Sequence, residues 1–256
     1  MAARCIPQLT HRTSRGPRQL LYPDPVDVSF LIPAYNEAST ISEVLDRIAS
    51  LGLDCEIIVI DDGSTDATAE IVASHPNANG QPVRLLRKKN GGKGSALRHG
   101  IPHCRGAIVV IQDADMEYDP HDVPMLIEPI RSERADVVYG SRLSGGQPQR
   151  AYMFWHLVGN RFLSLLTGLL FNTTLTDMET GYKAFRSDVL KELNLTEDRF
   201  GIEPEITAEI CRRRLRVYET PISYYGRTYD EGKNITWRDG FRAVFVLLRA
   251  RVRPLR

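Results

Sequence analysis

The sequence has few cysteines and no long apolar run, and both absences narrow the possible functions. The four cysteines among the 256 residues are Cys5, Cys55, Cys104 and Cys211. They form no CxxC pair and have no histidine pair nearby, which argues against a disulfide framework or a zinc site and fits a reducing compartment. The longest apolar stretch, residues 162–171, is shorter than the roughly 20 residues that a membrane-spanning helix needs. It is therefore either a core helix or a helix at a bilayer surface.

Two common nucleotide-binding motifs are also missing, and no secretory leader is expected. The first strand-to-helix turn carries no GxGxxG, which argues against a dinucleotide-binding Rossmann domain. The glycine-rich segment 91–95 is not a Walker A loop, because Gly94 follows Lys93 where that motif has Ser or Thr. Lys93 at a helix start can still reach a diphosphate, assisted by free backbone N–H groups. The first residues contain arginines but no apolar h-region, so no secretory signal is expected.

The charges are nearly balanced in total but not along the chain. The formal net charge is +1, yet residues 1–20 carry four arginines and no acid, and residues 238–256 carry six arginines against Asp239 alone. Basic ends favour a polyanion or an anionic membrane surface as partner, or serve only as solubilising tails. Nucleic acid is not among the expected partners. Residues 1–25 are rich in Pro and Arg without periodicity and are predicted to be a disordered basic arm.

Apolar strand patterns and amphipathic helix patterns alternate from residue 26 onward. The predicted strands cover residues 28–32, 56–60, 83–86, 107–111 and 136–139, and the predicted helices cover residues 38–50, 66–74, 93–102 and 121–130. Strands that are continuous apolar runs, separated by helices, predict an α/β fold with a mostly parallel, Rossmann-like sheet flanked by helices. In such sheets ligands bind beyond the carboxyl ends of the strands.

Polar motifs follow all five predicted strands. They occupy residues 33–37, 61–64, 90–95, 113–115 and 140–142. Because the carboxyl ends of parallel strands meet at one edge of a sheet, we expect a single site there. Asp113 and Asp115 are two residues apart, so in extended chain both side chains can point to the same side and hold a divalent cation with a diphosphate. Taken alone, the pair is equally compatible with a solvated acidic turn.

Side chains in two of these motifs suit a nucleoside. Tyr35 can stack on a base, and Glu37 and Asp62 can accept hydrogen bonds from a base or a ribose. Asp62 could instead cap the helix that follows it, a role that is also open to Asp66. Glu117, two residues beyond the acidic pair, is a candidate third metal ligand.

Taken together, the motifs resemble one enzyme family. PAYNE, DDGSTD, NGGKGSA, DADME and GSR, in this order, resemble the inverting glycosyltransferases of family 2, which have the GT-A fold. The continuation TDMETGYKAFR (176–186) with FGIEPEIT (200–207) is similar to the polyprenol-phosphate sugar synthases, the dolichol-phosphate mannose synthase group. The resemblance covers about residues 26–240, assigned as the GT-A domain, and leaves residues 241–256 as a basic amphipathic C-terminal helix.

The resemblance implies an activity and a set of substrates. The activity is inverting transfer of a hexose from a UDP- or GDP-sugar to a polyprenyl (dolichyl-type) phosphate, which makes a lipid-phosphate sugar donor. The implied cofactor is a divalent metal, Mg²⁺ or Mn²⁺. Nucleotide-sugar contacts fall on Pro33, Tyr35, Glu37, Asp62, Lys93, Asp113 and Ala114, and metal contacts fall on Asp113, Asp115 and Glu117.

The acceptor side is also assigned through the resemblance. Arg142 matches the arginine that faces the acceptor phosphate, and Arg227 resembles the mobile arginine that closes on the diphosphate. His156 and Asn160 stand where mannose-synthase relatives often place an arginine and a serine, so His156 and the adjacent Arg161 are expected to assist Arg142. Asp177 is expected to orient the acceptor or a sugar hydroxyl, or else to cap the following turn. The residues expected to be catalytic are Asp115, Arg142, Asp177 and Arg227.

Two other functions stay open. One is a family 2 glycosyltransferase that acts on a soluble or glycan acceptor, and the other is a non-catalytic subunit that binds nucleotide sugars or tethers to membranes. We expect a cytoplasmic protein, peripheral on the cytoplasmic face of a membrane. It would dock through residues 157–171 and 241–253, or through a separate membrane-anchor protein. The motifs do not select the sugar or the base, although the acceptor motif slightly favours a UDP-sugar.

Overall fold

One sheet of seven strands organises the described part of the chain. The computed structural model describes residues 26–76, 83–146, 154–226 and 237–253, without the side chains of residues 237 and 238. The strands are β1 (Val28–Ala34), β2 (Cys55–Asp61), β3 (Arg84–Arg87), β4 (Ile108–Ile111), β5 (Val137–Ser141), β6 (Lys183–Arg186) and β7 (Val217–Pro221). Their order in the sheet is β3-β2-β1-β4-β6-β5-β7. The predicted basic arm, residues 1–25, lies outside the described residues.

Eight α-helices accompany these strands in the described ranges. They are α1 (Ile41–Ser50), α2 (Thr68–Ser74), α3 (Lys93–Gly100), α4 (Val123–Arg131), α5 (Phe154–Phe171), α6 (Ser187–Glu192), α7 (Ile202–Arg212) and α8 (Trp237–Val252). Short 3-10 helices at Ile101–His103 and Pro120–Asp122 follow α3 and precede α4. The first five strands and first four helices are those predicted from the sequence, with ends that move by a few residues, and the mostly parallel α/β architecture is confirmed.

The sheet departs from a purely parallel arrangement at one position. β6 lies between β4 and β5 and runs antiparallel to both, while every other pairing is parallel. β6 and β7 were not predicted, because neither is a continuous apolar run. β6 begins with Lys183, and the edge strand β7 carries Glu219 and is only partly buried.

Alternate residues of the central strands feed two apolar layers. In β2, Ile57 and Val59 face the layer that includes α1 and α4, whereas Ile58 and Ile60 face the layer that includes α3 and α7. This follows from the two-residue period of a strand, and a sheet covered on both faces needs apolar residues at both phases. The two layers fix the strand ends, and therefore the loops that carry the polar motifs.

A third, smaller apolar cluster joins α5, α7 and α8. Its buried members are Leu163, Met178, Ala208, Ala243 and Leu247. The final helix begins at Trp237, inside the predicted 26–240 domain, and packs on α5 and α7 through its buried face. The helix starts four residues before the predicted start at residue 241. The predicted domain boundary at residue 240 stays a prediction. None of the helices in the described residues has both the length and the apolar composition needed to cross a membrane.

Candidate active site

The loops after β1 and β2 are tied together at the predicted nucleoside pocket. Asn36 adopts a left-handed φ of 56°, which asparagine tolerates better than most residues. Its Oδ1 accepts from the Thr65 N–H at 2.8 Å, and its own N–H donates to Ser64 Oγ at 3.0 Å. This brings Pro33, half-buried, and Tyr35, 48% exposed, beside the loop that follows β2.

Glu37 and Asp66 fix the helices behind this pocket. The Glu37 carboxylate accepts from the Thr40 hydroxyl at 3.0 Å, and its backbone N–H donates to Thr68 Oγ1 at 2.9 Å. Asp66 accepts from the Thr68 N–H at 3.0 Å at the start of α2. Of the two acids that the sequence left open as a cap for this helix, Asp66 is therefore the one that bonds there.

Asp62 stabilises the glycine-rich loop by accepting hydrogen bonds from its backbone. Its buried carboxylate accepts from the backbone N–H of Gly91 at 3.1 Å and of Gly92 at 2.6 Å, and it also pairs with the Lys88 ammonium. Gly92 has φ 98°, and a Cβ there would lie 2.7 Å from the carbonyl oxygen of Asp198. The contacts of the Asp62 carboxylate in this structure are therefore with the loop. Its direct contact with a nucleoside stays a prediction.

Lys93 is held between two carboxylates. Its Nζ lies 2.7 Å from Asp113 Oδ1 and 3.2 Å from Glu203 Oε1. Burial alone would lower the pKa of Lys93, but Asp113 and Glu203 outweigh burial and raise that pKa above its usual value. The amine is therefore a fixed positive charge at the carboxyl end of β4. The Lys93–Asp113 pair confirms that the two predicted motifs meet, and Glu203 is a partner that the sequence reasoning missed.

The acidic loop after β4 has a buried residue at its centre and carboxylates on either side that can serve as oxygen ligands. Ala114 is 3% exposed, while the flanking Asp113 and Asp115 are half-buried. The predicted third ligand, Glu117, donates its N–H to Asp115 Oδ1 at 3.1 Å, and its own carboxylate accepts from the Tyr224 hydroxyl at 2.9 Å. No group of three or more His, Cys, Asp or Glu side chains converges as a metal site within the described ranges.

A partial oxygen site of this kind still fits a divalent metal. Mg²⁺ is usually bound by one or two carboxylates together with substrate phosphates and waters, so a complete protein cage is not required. Asp113, which pairs with Lys93, and Asp115 in the same loop supply hard oxygen donors, and a diphosphate would complete the coordination. The part of Glu117 in metal binding stays a prediction.

Arg142 and Asp177 form a second ion pair at this edge, and its carboxylate is fully buried. Arg142 Nε and Nη2 donate to the two oxygens of Asp177 at 2.7 and 2.8 Å, and the Arg142 backbone N–H adds a bond of 2.9 Å. Asn160 Nδ2 donates to the same carboxylate at 2.7 Å. Burial would raise the pKa of Asp177, but Arg142 and these hydrogen bonds hold it below its usual value. The carboxylate is thus bound to Arg142 and does not cap the following turn.

Tyr224 links Arg142, the arginine predicted to face the acceptor, to the acidic loop. The Arg142 guanidinium stacks on the Tyr224 ring at 5.0 Å, and the hydroxyl of the same tyrosine donates to Glu117. Such stacking suits a planar, permanently charged guanidinium. The two predicted halves of the site are therefore in contact through a residue that no motif indicated.

The other predicted acceptor residues lie on or near α5. His156 is half-buried and Arg161 is exposed. Arg161 lines an open cleft of about 430 Å³ together with Leu143, Leu165 and Leu169. It is Asn160, and not His156, that bonds to Asp177. Arg227 lies outside the described residues.

The floor of the site contains buried charges that the sequence reasoning did not single out. Lys183 is fully buried, and its ammonium pairs with Glu203, donates to the carbonyl of Thr180 and lies 4.8 Å from the centre of the Tyr139 ring. Glu179 is half-buried, and burial and the nearby Glu203 raise its pKa to about 7. Lys183 opens β6, and Glu203 is one of three acids in α7, so there was little signal in the sequence for either residue.

The chain matches known proteins in sequence. The sequence model of the family described as "Glycosyl transferase family 2" matches residues 29–193. The chain is 31% identical over 220 residues to "Glycosyltransferase AglJ" of Haloferax volcanii, a match that covers 85% of this chain and 70% of that protein. It is 31% identical over 213 residues to the dolichol-phosphate mannosyltransferase of Pyrococcus furiosus, covering 80% of this chain and 58% of the relative.

A third relative and a set of solved structures extend the comparison. The undecaprenyl-phosphate 4-deoxy-4-formamido-L-arabinose transferase of Edwardsiella ictaluri is 32% identical over 214 residues, covering 80% of this chain and 62% of the relative. Glucosyl-3-phosphoglycerate synthase from Mycobacterium tuberculosis, solved with Mn²⁺, UDP and phosphoglyceric acid, has a TM-score of 0.67 at 24% identity, covering 90% of this chain and 80% of that one. This likeness concerns the fold alone, and it confirms the predicted GT-A fold.

Proposed function

The chain belongs to glycosyl transferase family 2, and from that membership we propose that it transfers a hexose, with inversion, from a nucleoside-diphosphate sugar to a polyprenyl phosphate. The observation that carries the proposal is that two cations, each held by a carboxylate, lie at one edge of the sheet. Lys93 pairs with Asp113, and Arg142 is held by Asp177. Two cationic positions suit a reaction with an anionic leaving group and an anionic acceptor.

The acceptor itself needs little activation. A phosphate monoester has its second pKa near about 6, so at neutral pH its oxygen is already mostly ionised and a strong general base is unnecessary. Arg142 then has to position the phosphate with the reacting oxygen toward the sugar. The buried Asp177 carboxylate, itself bound by Asn160, keeps the guanidinium in one orientation for that purpose.

The transfer is a single in-line displacement. An acceptor-phosphate oxygen forms a bond to the anomeric carbon on the face opposite the diphosphate. The bond from that carbon to the β-phosphate oxygen breaks, and its electron pair leaves with the nucleoside diphosphate, so the anomeric configuration inverts. Lys93 stabilises the charge that develops on the leaving group, and Arg227 is proposed to assist. Mg²⁺ or Mn²⁺ held by Asp113 and Asp115 would supply further Lewis-acid stabilisation of the same charge.

The relatives support the choice of acceptor. Two of them are named for transfer involving a polyprenyl-type phosphate, one undecaprenyl and one dolichol. The donor is proposed to be a UDP- or GDP-sugar, with a slight preference for UDP because the 176–186 segment departs from the mannose-synthase pattern. The contacts of Pro33, Tyr35 and Glu37 with the nucleoside, and those of His156 and Arg161 with the acceptor, are parts of the same proposal.

A lipid acceptor requires contact with a membrane, and two helices offer a surface for it. The exposed large apolar side chains of α5 and α8, here called the apolar face, are Phe154, Trp155, Val158, Phe162, Leu165, Leu169, Phe241, Phe245, Leu248 and Val252. The opposite faces of both helices are buried in one cluster. Arg249 and Arg251 lie in the last turn of α8. Apolar and aromatic side chains flanked by arginines suit an anionic bilayer surface, and we propose peripheral docking there, on the cytoplasmic side.

The transfer assay tests the activity. Purified protein is mixed with Mg²⁺ or Mn²⁺, polyprenyl phosphate and, in turn, radiolabelled GDP-mannose, UDP-glucose and UDP-N-acetylhexosamine. We expect metal-dependent label in the lipid phase with one donor. Asp115→Asn should lower that rate by at least about 100-fold, whereas Asp46→Asn, at an exposed position on α1, should not.

The same assay separates the alternatives. Label that reaches only a water-soluble acceptor would move the assignment to a glycosyltransferase of soluble substrates or glycans. Donor binding without any transfer would favour a non-catalytic subunit.

Membrane docking is tested by sedimentation with anionic vesicles at low salt. Trp155→Ser with Phe241→Ser should release the protein, and Tyr218→Ser, at an exposed position on β7, should not. A wild-type protein that stays in the supernatant would contradict direct docking.

A further inference from the structure

The turn formed by residues 177–181 connects the acceptor side of the site to the donor side. At its first residue, Asp177 binds Arg142. At its last residue, Gly181, an added Cβ would lie 2.8 Å from Lys93 Nζ and in contact with the Asp113 carboxylate. The short segment between them therefore spans from the cation assigned to the acceptor phosphate to the cation assigned to the leaving diphosphate.

Glu179 stands at the middle of this turn. Its neighbours Met178 and Thr180 are fully buried, whereas Glu179 is half-buried. Its Oε1 is shielded from solvent and has no hydrogen-bond partner among the described residues. Buried carboxylate oxygens are nearly always hydrogen-bonded, so an unpartnered one at a ligand site indicates a partner that arrives with the ligand.

The protein cations around Glu179 are already engaged. Lys183 donates to Glu203 and to the Thr180 carbonyl, and Arg142 donates to both oxygens of Asp177. Glu179 is close enough to all four charged groups for their charges to influence it, yet none of them bonds to it. The missing partner is therefore a donor that the described part of the protein does not provide.

The reaction places a suitable donor at this point. In an in-line displacement the anomeric carbon lies between the attacking and the leaving oxygen, so the sugar ring must sit between Arg142 and Lys93. Sugar hydroxyls are neutral O–H donors and can approach a carboxylate without a second charge. We propose that Glu179 binds the transferred sugar by accepting a hydrogen bond from one of its hydroxyls. This inference rests on the proposed transferase function and adds a residue that distinguishes one sugar from another.

The test compares Glu179→Ala and Glu179→Gln with wild-type protein. The assay uses the donor that the wild type accepts among GDP-mannose, UDP-glucose and UDP-N-acetylhexosamine. It is repeated with analogues of that donor whose sugar lacks the 2-, 3-, 4- or 6-hydroxyl. We expect Glu179→Ala to lower kcat/KM for the intact donor by about 10- to 100-fold, the range for losing a buried hydrogen bond whose other partner is left unsatisfied. For one deoxy analogue, wild type and Glu179→Ala should be equally slow, because the contacted hydroxyl is missing.

Two further readouts separate contact with the sugar from a structural role. Affinity for GDP or UDP alone, measured with Mg²⁺ present, should stay within about twofold of wild type in both variants. Glu179→Gln keeps an acceptor oxygen and should retain more activity than Glu179→Ala, and it can replace Glu179→Ala with the same analogues if the alanine variant does not fold. Glu192→Ala, at an exposed position on α6, is the matched control.

The inference is overturned if the variants slow the intact donor and all deoxy donors by the same factor, or if nucleoside-diphosphate affinity falls in parallel with the rate. Failure of the proposed acceptor is a separate result. If the wild type transfers sugar only to a soluble acceptor, the polyprenyl-phosphate proposal is wrong, and the same deoxy series with that acceptor still decides the role of Glu179.

Discussion

The proposed donor and acceptor sides of the site each hold a cation on a carboxylate, but the carboxylates of the two pairs differ in exposure. Lys93 and Asp113 have side chains that are 16% and 19% exposed, whereas Asp177 is fully buried behind an Arg142 that is 17% exposed. On the donor side the carboxylate itself reaches the cleft and can exchange its partner. On the acceptor side only the cation reaches the cleft, and the carboxylate serves to hold it.

The supports of the two pairs agree with this difference. Lys93 has a second carboxylate, Glu203, so it keeps an anionic partner if Asp113 turns to a metal-bound diphosphate. Asp177 has no such freedom, because Asn160 and the Arg142 backbone also bind it, and Glu219 accepts from its N–H at 3.2 Å. The arrangement allows Asp113 to exchange Lys93 for another partner, whereas it holds Arg142 in one orientation.

The largest expected effect comes from breaking the acceptor pair. Asp177→Asn leaves the largely shielded Arg142 without its counter-charge, and removal of one member of a buried pair typically lowers the free energy of unfolding by about 3–5 kcal/mol. Asp113→Asn should lower it by less than about 1 kcal/mol, because this pair is more exposed and Lys93 keeps Glu203. Both variants should lose transfer activity. Urea unfolding of the two variants measures the contrast, and equal losses of stability would contradict it.

A smaller effect is expected from crowding the donor pair without removing a charge. Gly181→Ala places a methyl group 2.8 Å from Lys93 Nζ and against Asp113. Overpacking of this kind typically costs about 1–3 kcal/mol, and because the crowded atoms are in the donor pair, we expect kcat/KM for the donor to fall by about 10- to 100-fold. The measurement is donor-dependent transfer at saturating acceptor.

Gly159 provides the matched control for that substitution. It lies in α5, and an added Cβ there would meet no other atom within 4 Å. Gly159→Ala should therefore leave transfer unchanged and stabilise the helix by up to about 1 kcal/mol. If Gly181→Ala raised the acceptor KM and left the donor KM unchanged, the assignment of Lys93 and Asp113 to the donor side would be wrong.

The donor side could be predicted from the sequence, and the acceptor side could be predicted only in part. Lys93 follows β3 and Asp113 follows β4, two strands of the predicted parallel sheet, and the carboxyl ends of parallel strands meet at one edge. Arg142 and Asp177 are separated by 35 residues, and their pairing depends on the antiparallel β6, which no pattern revealed. The resemblance named Arg142 and Asp177 but not their contact, nor the roles of Tyr224 and Glu203, which arise from packing between distant elements.

The smallest effect concerns a third pair, which lies at the opposite end of β5 from Arg142. Asp136 precedes the strand and pairs with Arg216 at 2.7 Å and Arg186 at 3.1 Å, and hydrogen bonds from Arg216 lower the pKa of Asp136 to about 2. Asp136 is shielded but both arginines are about half exposed, so solvent screens the pair. We expect Asp136→Asn to lower the free energy of unfolding by about 1–2 kcal/mol at pH 7.

The pH dependence of this loss identifies its cause. A carboxyl whose pKa is lower in the folded state stabilises the fold above its unfolded pKa of about 3.9, and this contribution disappears as the pH falls toward the folded value. The difference between wild type and Asp136→Asn should therefore be constant above about pH 5 and vanish near pH 2. Asp188→Asn, which removes a more exposed partner of Arg186, should change stability by less than about 0.5 kcal/mol. A difference for Asp136→Asn that persisted unchanged at low pH would show that shape, and not charge, makes the carboxylate important. Exposure would then be the wrong basis for ranking the three pairs.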